Sequence, residues 1–297
     1  MDYHNKRIIE NRSTAPSNAV VKISIMKAIW FSIMLISSIC AWVFYFSLSS
    51  FLLFSITTVV TLCLGHSLGM HRKLIHQSYN CPKWLEYLFV HLGVLVGLAG
   101  PKGMMFTHDL RDWAQRQSDC HDYFAHRQPK LIDFYWQVYC DINLKHPPKF
   151  QPEIEFENDK VYKIMGNYWI LNQLPWAIIL FLIGGVDWVL WGICMRVTIS
   201  VFGHWCIDYF AHNKGVQHWK VNGATVQGYN IPFKPLLTMG ESYHNNHHAF
   251  PNSAKFSLRN KEFDVGWTVL LLLQKIKLVW NLKQPEDLPN RSELIEL

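Results

Sequence analysis

The chain has 297 residues, of which 50% are hydrophobic and 17% are charged, and its formal net charge is +6. This composition is more apolar than that of an average soluble domain, and the positive charge is spread along the chain, which argues against a nucleic-acid binder. The 7 cysteines form no C-x-x-C pair and several lie in apolar runs, so we expect no disulfide framework.

The N-terminal segment, residues 1–27, is polar and precedes a long apolar run. This run begins too late and is too long for a signal peptide. Residues 28–65 carry no charge, and a membrane-crossing helix needs about 20 apolar residues. We therefore predict two spans, near 28–46 and 50–66, separated by a turn at the sequence SLSS.

The next apolar segment, WLEYLFVHLGVLVGLAG at 84–100, contains Glu86 and His91 and is short for a crossing. We predict that it forms a helix lying in the membrane interface. Two later runs are long enough to cross the bilayer, and they predict a third span near 166–185 and a fourth near 188–207.

Lysine and arginine are distributed unevenly around these spans: 5 lie in 1–27, 12 in 66–163 and 10 in 208–297. The two short loops on the opposite side contain none. Because cytoplasmic loops carry the excess of basic residues, both termini and the 66–163 segment are predicted to be cytoplasmic. The expected fold is an all-α integral membrane protein, with 28–297 as one domain: four spans beneath a cytoplasmic helical cap.

Most of the 15 histidines lie at or beyond the predicted cytoplasmic helix ends. Neutral imidazole suits iron, zinc, copper or nickel, and these ligands are more numerous than one ion needs. The sequence therefore predicts a two-metal site under the cap. The candidate ligands from this pattern are His71, His76, His108, His121, Asp208, His212, His244, His247 and His248.

Helical spacing supports part of this set, because residues four apart share a helix face while residues five apart differ by about 140°. Asp208 and His212 point together by this rule, and so do His244 and His248. His66 is a weaker candidate, five residues before His71. Five further histidines are expected to be ordinary interfacial or core residues: His4, His91, His126, His146 and His218.

Three motifs resemble those of the membrane fatty acyl desaturases of the acyl-CoA type, which carry three histidine boxes. GMHRKLIHQSY resembles the first box, GESYHNNHHAFP the third, and DYFAH at 208–212 a pair at the end of the last span. The resemblance covers roughly residues 60–297. It implies two Fe(II) ions that, with dioxygen and two donated electrons, remove hydrogens from neighbouring carbons of an acyl chain and leave a cis double bond.

The second box departs from the family pattern. The family has H-x-x-H-H, whereas this chain has HDLRD, with His108 followed by Arg111 and Asp112. Arginine cannot act as a ligand, because its guanidinium stays protonated. Asp112 could replace a histidine as an oxygen ligand, and His121 could supply a missing nitrogen. Asp208 also stands where the family has asparagine.

Three residues are candidate substrate contacts: Arg196, Lys102 and Trp113. Arg196 lies inside a predicted span, where a cation is functional or paired by default, and Asn172 could be its partner. Basic residues near the cap could bind coenzyme A phosphates, or they could face solvent or anionic lipid.

The leading functional hypothesis is an oxygen-dependent desaturase acting on acyl-CoA, with electrons from a separate ferredoxin or small cytochrome and its reductase. A fatty acyl hydroxylase or an acyl-lipid desaturase is the alternative, since the same oxidant serves these reactions. The altered second box motivates a third hypothesis, a catalytically silent metal-binding membrane protein.

Overall fold

The computed structural model describes residues 7–231 and 235–297, and most of this part of the chain is helical. The helices of the first half are α1 (Ile25–Phe44), α2 (Leu48–Val60), the π-helix π1 (Thr61–Ile75), α3 (Lys83–Leu95), α4 (Pro101–Arg116), α5 (Asp122–Ala125) and α6 (Lys130–Tyr139). Those of the second half are α7 (Ile154–Asn158), α8 (Lys160–Asn167), α9 (Gln173–Val189), the π-helix π2 (Leu190–Met195), α10 (Arg196–Asn213), α11 (Pro235–Thr238), α12 (His244–Ala249), α13 (Val265–Lys275) and a 3₁₀ turn (Pro285–Asp287).

In the described part of the chain, three small antiparallel sheets accompany the helices, so the prediction of a purely helical fold is wrong in this detail. The strands are β1 (Ile8–Ile9), β2 (Ala15–Ile23), β3 (Cys140–His146), β4 (Lys149–Phe150), β5 (Trp219–Val221) and β6 (Leu294–Glu296). They pair β1 with β4, β2 with β3 and β5 with β6. Each pair joins segments far apart in sequence, and such partners are invisible to a local pattern.

Three described helical segments are long and apolar enough to cross a membrane: Ile25–Phe44, Leu48–Ile75 and Gln173–Asn213. The first two overlap the first two predicted spans. The third, a run of 41 residues, includes residues 173–185 of the third predicted span and all of the fourth. Gly185 interrupts this run with non-helical backbone angles, φ 69° and ψ −159°. Positive φ is accessible to glycine at little cost, so the chain can change direction there.

The helix predicted near 84–100 is α3, which has 13 residues and is therefore about 20 Å long at 1.5 Å per residue. That length is less than the roughly 30 Å hydrocarbon thickness of a bilayer. α3 packs closely on π1, because Gly65 and Gly69 let the two backbones meet. A Cβ atom at Gly69 would lie 2.4 Å from the carbonyl oxygen of Phe89.

The N-terminal segment folds onto the polar end of the helices. β2 pairs with β3 from Ala15 to Ile23. The buried Arg7 guanidinium donates hydrogen bonds to the carbonyl of Ile75, at 3.0 Å, and to Asp109, at 3.1 Å. It also forms an ion pair with Glu153 at 2.8 Å. Arg7 therefore ties the N-terminal segment to the end of π1 and to the start of the second box.

Candidate metal centre

Four histidines form the first ligand group, which we call the four-histidine group: His71 of π1, His76 at the C-cap of π1, His108 of α4 and His247 of α12. Their ligand nitrogens all lie within 4.8 Å of one another. The Nε2 atoms of His71 and His247 are 3.2 Å apart, and those of His76 and His108 are 3.3 Å apart. Nitrogens bound about 2.1 Å from one ion at roughly right angles are separated by about 3 Å. The group therefore fits a metal ion.

His212 of α10 and His244 and His248 of α12 form the three-histidine group. The Nε2 atom of His244 lies 3.1 Å from that of His212 and 3.0 Å from that of His248. The short helix α12 thus serves both groups. His244 and His248 share one face, as their spacing of four residues predicts, while His247 points to the other group.

The second imidazole nitrogen of several ligands has a fixed partner. The Nδ1 atom of His71 lies 2.8 Å from a carboxylate oxygen of Glu241, and that of His108 lies 3.3 Å from Asp109. The Nδ1 atom of His212 lies 2.7 Å from the backbone carbonyl of Asp208. An oxygen acceptor at Nδ1 requires the N–H there, which leaves the Nε2 lone pair free for a metal.

Burial favours the neutral form of three of these imidazoles. Loss of solvation lowers the pKa of His76, His247 and His248 well below the ordinary value, and repulsion between neighbouring imidazolium charges lowers it further. A neutral imidazole is the form that binds a metal. These three rings therefore have the protonation state that a metal ligand needs near neutral pH.

The first box depends on the π-helical backbone. In an α-helix His71 and His76 would lie about 140° apart, but a π-helix bonds residue i to residue i+5 and places them on one side. The His76 N–H donates to the His71 carbonyl at 3.0 Å, and the two ring centroids are 4.9 Å apart. The π-helical turn therefore brings both histidines to the same metal position.

Two asparagines hold α12 in place between the histidines. The Asn245 side chain accepts the N–H of His218, at 2.7 Å, and donates to the carbonyl of Gly228, at 2.8 Å. The Asn246 amide donates to the carbonyl of Phe256 at 2.8 Å. Both asparagines are almost fully buried. In the sequence HNNHH the histidines therefore face the metal positions, and the two asparagines between them fix the backbone of α12.

The structure brings seven of the predicted ligands together and leaves three in other contacts. Asp208 forms an ion pair with Arg111 and lies 3.5 Å from His204. Asp112 forms an ion pair with Arg116, one turn further along α4.

His121 caps α5 by accepting the N–H of Tyr123 at 3.2 Å. Its ring packs 5.8 Å from Trp136. Neither histidine group found among the described residues includes it.

The predicted substrate contacts have protein partners as well. Arg196, 2% exposed, donates to the carbonyls of Gly192 and Leu95 and to the side chain of Gln173, the neighbour of the suggested Asn172. The indole of Trp113 donates to Glu10. Lys102 is exposed and pairs with Glu157. Their roles in substrate binding stay predictions.

The other histidines are divided between the site and the scaffold. His66 and His204 line the same cavity as the ligands, with ring centroids 5.0 Å apart. The Nδ1 atom of His126 lies 3.1 Å from a carboxylate oxygen of Asp133, and the Nε2 atom of His91 accepts the indole N–H of Trp176. His4 lies outside the described residues. Glu241 and Asp109 were not among the predicted site residues, although they lie within the motifs GESYHNNHHAFP and HDLRD.

A cavity of about 310 Å³ is lined by all histidines of the two groups except His76. It adjoins a smaller cavity of about 130 Å³ and a third cavity of about 890 Å³. Leu98, Thr107 and Arg111 line all three cavities, so the cavities meet beside these residues. The residues that line only the smaller cavity of these three include Trp30, Phe31, Val138, Val201 and Trp205.

Known proteins similar to this chain have desaturase names. It is 31% identical over 221 residues to the sn-1 stearoyl-lipid 9-desaturase of Anabaena variabilis, an alignment covering 74% of this chain and 79% of that protein. It is also 31% identical over 238 residues to the sn-1 stearoyl-lipid 9-desaturase of Synechocystis sp., covering 77% and 70%. The chain belongs to the membrane fatty acyl desaturase family. An acyl-CoA 5-desaturase of Anemone leveillei is 26% identical over 255 residues, covering 84% of this chain and 76% of that protein.

No family model matches the chain. Membership of the desaturase family confirms the resemblance drawn from the histidine boxes and identifies the chain as an oxidoreductase of lipid metabolism. The apolar helices and the histidine groups are consistent with a membrane-bound, metal-binding enzyme.

Proposed function

We propose that this protein is an oxygen-dependent fatty acyl desaturase that uses two iron ions to remove one hydrogen from each of two adjacent carbons and form a cis double bond. The observation that carries the proposal is the convergence of seven imidazoles on two metal positions beside adjoining apolar cavities. Bound iron would supply the redox chemistry with dioxygen and two electrons from a separate ferredoxin or small cytochrome.

The chain's own residues would hold and orient the alkyl chain. The smaller cavity is bordered by Phe31, Val138, Val201 and Trp205, which offer apolar contact to methylene groups. Leu98 and Thr107 stand where this cavity meets the one with the histidines. An alkyl chain that passes from the cavity with the histidines into the smaller cavity would have its carbons fixed beside the metal positions and water excluded. Fixed orientation and a dry site are the main contributions that the protein makes to such a reaction.

We further propose four membrane crossings with the histidines on the cytoplasmic side. The 41 residues of Gln173–Asn213 would measure about 60 Å as one straight helix, twice the hydrocarbon thickness. A turn at Gly185 would divide this run between two crossings. The excess of lysine and arginine in 1–27, 66–163 and 208–297 supports a cytoplasmic position for these segments.

Coenzyme A is the acyl carrier that we propose. The cavity of about 890 Å³ is bordered by Lys27, Lys102 and Lys163, and lysines at such a site can bind phosphate groups. The names of the Anabaena and Synechocystis relatives, which are acyl-lipid desaturases, favour lipid-bound chains as the second candidate. Supplying purified protein with stearoyl-CoA or with stearoyl-lipid vesicles separates the two.

The activity is tested by expressing the chain in a host that lacks unsaturated fatty acids and analysing its fatty acids by mass spectrometry. We expect a new monounsaturated acid, which disappears in a His247→Ala variant. A His146→Ala variant is the matched control, because His146 is exposed at the end of β3 and should retain the product. A hydroxylated product would indicate the hydroxylase instead, and no new product in the wild type would refute both reactions.

A further inference from the structure

The two histidine groups differ in the carboxylates around them. In the four-histidine group, Glu241 and Asp109 contact the Nδ1 atoms of His71 and His108. These carboxylates support ligands that face the metal position with Nε2. The three-histidine group has one imidazole fewer. A metal there would take its remaining ligands from water or from the cavity wall.

Asp208 is the first carboxylate available to the three-histidine group. It lies one turn before His212 on α10, and both residues line the cavity. Its carboxylate, however, is in contact with the guanidinium of Arg111. Arg111 is also held by Gln137, whose side-chain oxygen accepts a hydrogen bond from it at 2.9 Å. Arg111 therefore stands where the family's second box has a histidine, and its cation is held beside the carboxylate of Asp208.

Asp112 is the second carboxylate on this side of the cavity, and it too has an arginine partner. The Nε atom of Arg116 lies 3.1 Å from one oxygen of Asp112 and 3.2 Å from the other. Either aspartate would have to share its carboxylate with an arginine, or release the arginine, in order to bind a metal. The four-histidine group requires no such exchange, because its four ligands are imidazoles.

We propose that the two metal positions are unequal: the four-histidine group binds a divalent metal tightly, and the three-histidine group binds a second one weakly because Arg111 competes with the metal for Asp208. The proposal rests on the proposed function only in taking these histidines as metal ligands. It assigns Arg111 and Asp208 a joint role, which is to set the occupancy of the second position.

The test measures metal retention by purified protein in detergent. The protein is loaded anaerobically with Fe(II), exposed to increasing chelator and analysed for metal per chain after gel filtration. We expect the wild type to lose one metal at low chelator and to keep about one at high chelator. Arg111→Gln frees Asp208 and should raise the chelator concentration that removes the second metal by about tenfold, in line with other changes next to a metal ligand.

Asp208→Asn should act in the opposite direction, because it removes the anion and leaves the cation of Arg111, so the second metal is lost at lower chelator. Arg127→Gln is the matched control: Arg127 is half-exposed and pairs with Asp122 away from the cavity. The tightly held metal in the same samples reports whether each variant is folded. Arg111→His, which restores the family residue, should also increase retention of the second metal and serves if the glutamine variant fails to fold.

Two metals held with equal strength by the wild type would overturn the proposal. So would Arg111 variants that fail to increase retention, or Arg111 and Asp208 variants that shift retention in the same direction. The fatty acid analysis tests the proposed function separately. If the wild type forms the unsaturated product but holds both metals equally tightly, only the proposal of unequal metal positions is refuted. If it holds one metal tightly but forms no product, only the proposed desaturase activity is refuted.

Discussion

Glu241 offers a direct test of how the four-histidine group is held. Its buried carboxylate accepts hydrogen bonds from the hydroxyl of Ser67, at 2.6 Å, and from the Nδ1 atom of His71, at 2.8 Å. Burial acts to raise the pKa of Glu241, but the electrostatic interaction and hydrogen bond with the Nδ1–H of His71 and the charge of Arg72 outweigh it and keep the pKa below its ordinary value. The group is therefore an anion that fixes the proton on Nδ1 of His71.

The expected loss in metal affinity can be graded by substitution. Changes to a residue that orients a metal ligand typically cost 10–100-fold in affinity, or about 1.4–2.7 kcal/mol. Glu241→Gln keeps an oxygen that can accept from His71 but loses the charge, so we expect a loss of about tenfold. Glu241→Ala removes both contacts and should lose about 100-fold. The assay is chelator competition against the tightly bound Fe(II) in detergent.

Glu286→Gln is the control for this series, because Glu286 is exposed in the 3₁₀ turn near the C-terminus. It should bind metal like the wild type. Thermal unfolding of each variant separates a local loss of affinity from global destabilisation. Affinities of both Glu241 variants within about twofold of the wild type, well under the typical effect, would show that the carboxylate does not support His71.

Gly65→Ala should destabilise the protein by about 1–3 kcal/mol, because the added Cβ would lie 2.3 Å from a backbone carbon of α3. Gly103→Ala is the control and should not destabilise it, because the nearest atom to its added Cβ is 3.4 Å away. Equal denaturation curves for the two variants would contradict this reasoning. Burial opposes ionisation of Glu86, but hydrogen bonds from Lys83 and a tyrosine lower its pKa below the ordinary value of 4.5. The ionised carboxylate therefore stabilises the folded protein above pH 4.5, and this stabilisation is lost as the pH falls through the lowered pKa. The melting-temperature deficit of Glu86→Gln should accordingly shrink from pH 7 to pH 4, and a constant deficit would refute the assignment. His121→Ala should keep the wild-type metal content by elemental analysis, and a loss of metal would make His121 a ligand.

Sequence patterns were sufficient to predict the family and the seven histidines that form the two groups. The third box places three imidazoles within five residues, and spacing alone predicts that His244 and His248 share a face. The comparisons confirm the family inferred from these boxes. Apolar runs likewise predict the helices that could cross a membrane, because the length of such a helix is set by the thickness of the bilayer.

Sequence patterns could not predict which histidine joins which group. His71 and His76 meet because π1 departs from α-helical geometry, and that departure accompanies the close packing of Gly65 and Gly69 on α3. Hydrogen bonds that Asn245 and Asn246 donate to the distant backbone carbonyls of Gly228 and Phe256 fix the orientation of α12.

The sequence by itself determined that many neutral nitrogen ligands would lie at one end of apolar helices. Only the tertiary structure decided that Asp208 and Asp112 pair with arginines and that His121 caps a helix instead of joining either group. The physical reason is that ligand chemistry and helix length are properties of the local chain. The partner of a charged side chain depends on which distant segments pack beside it.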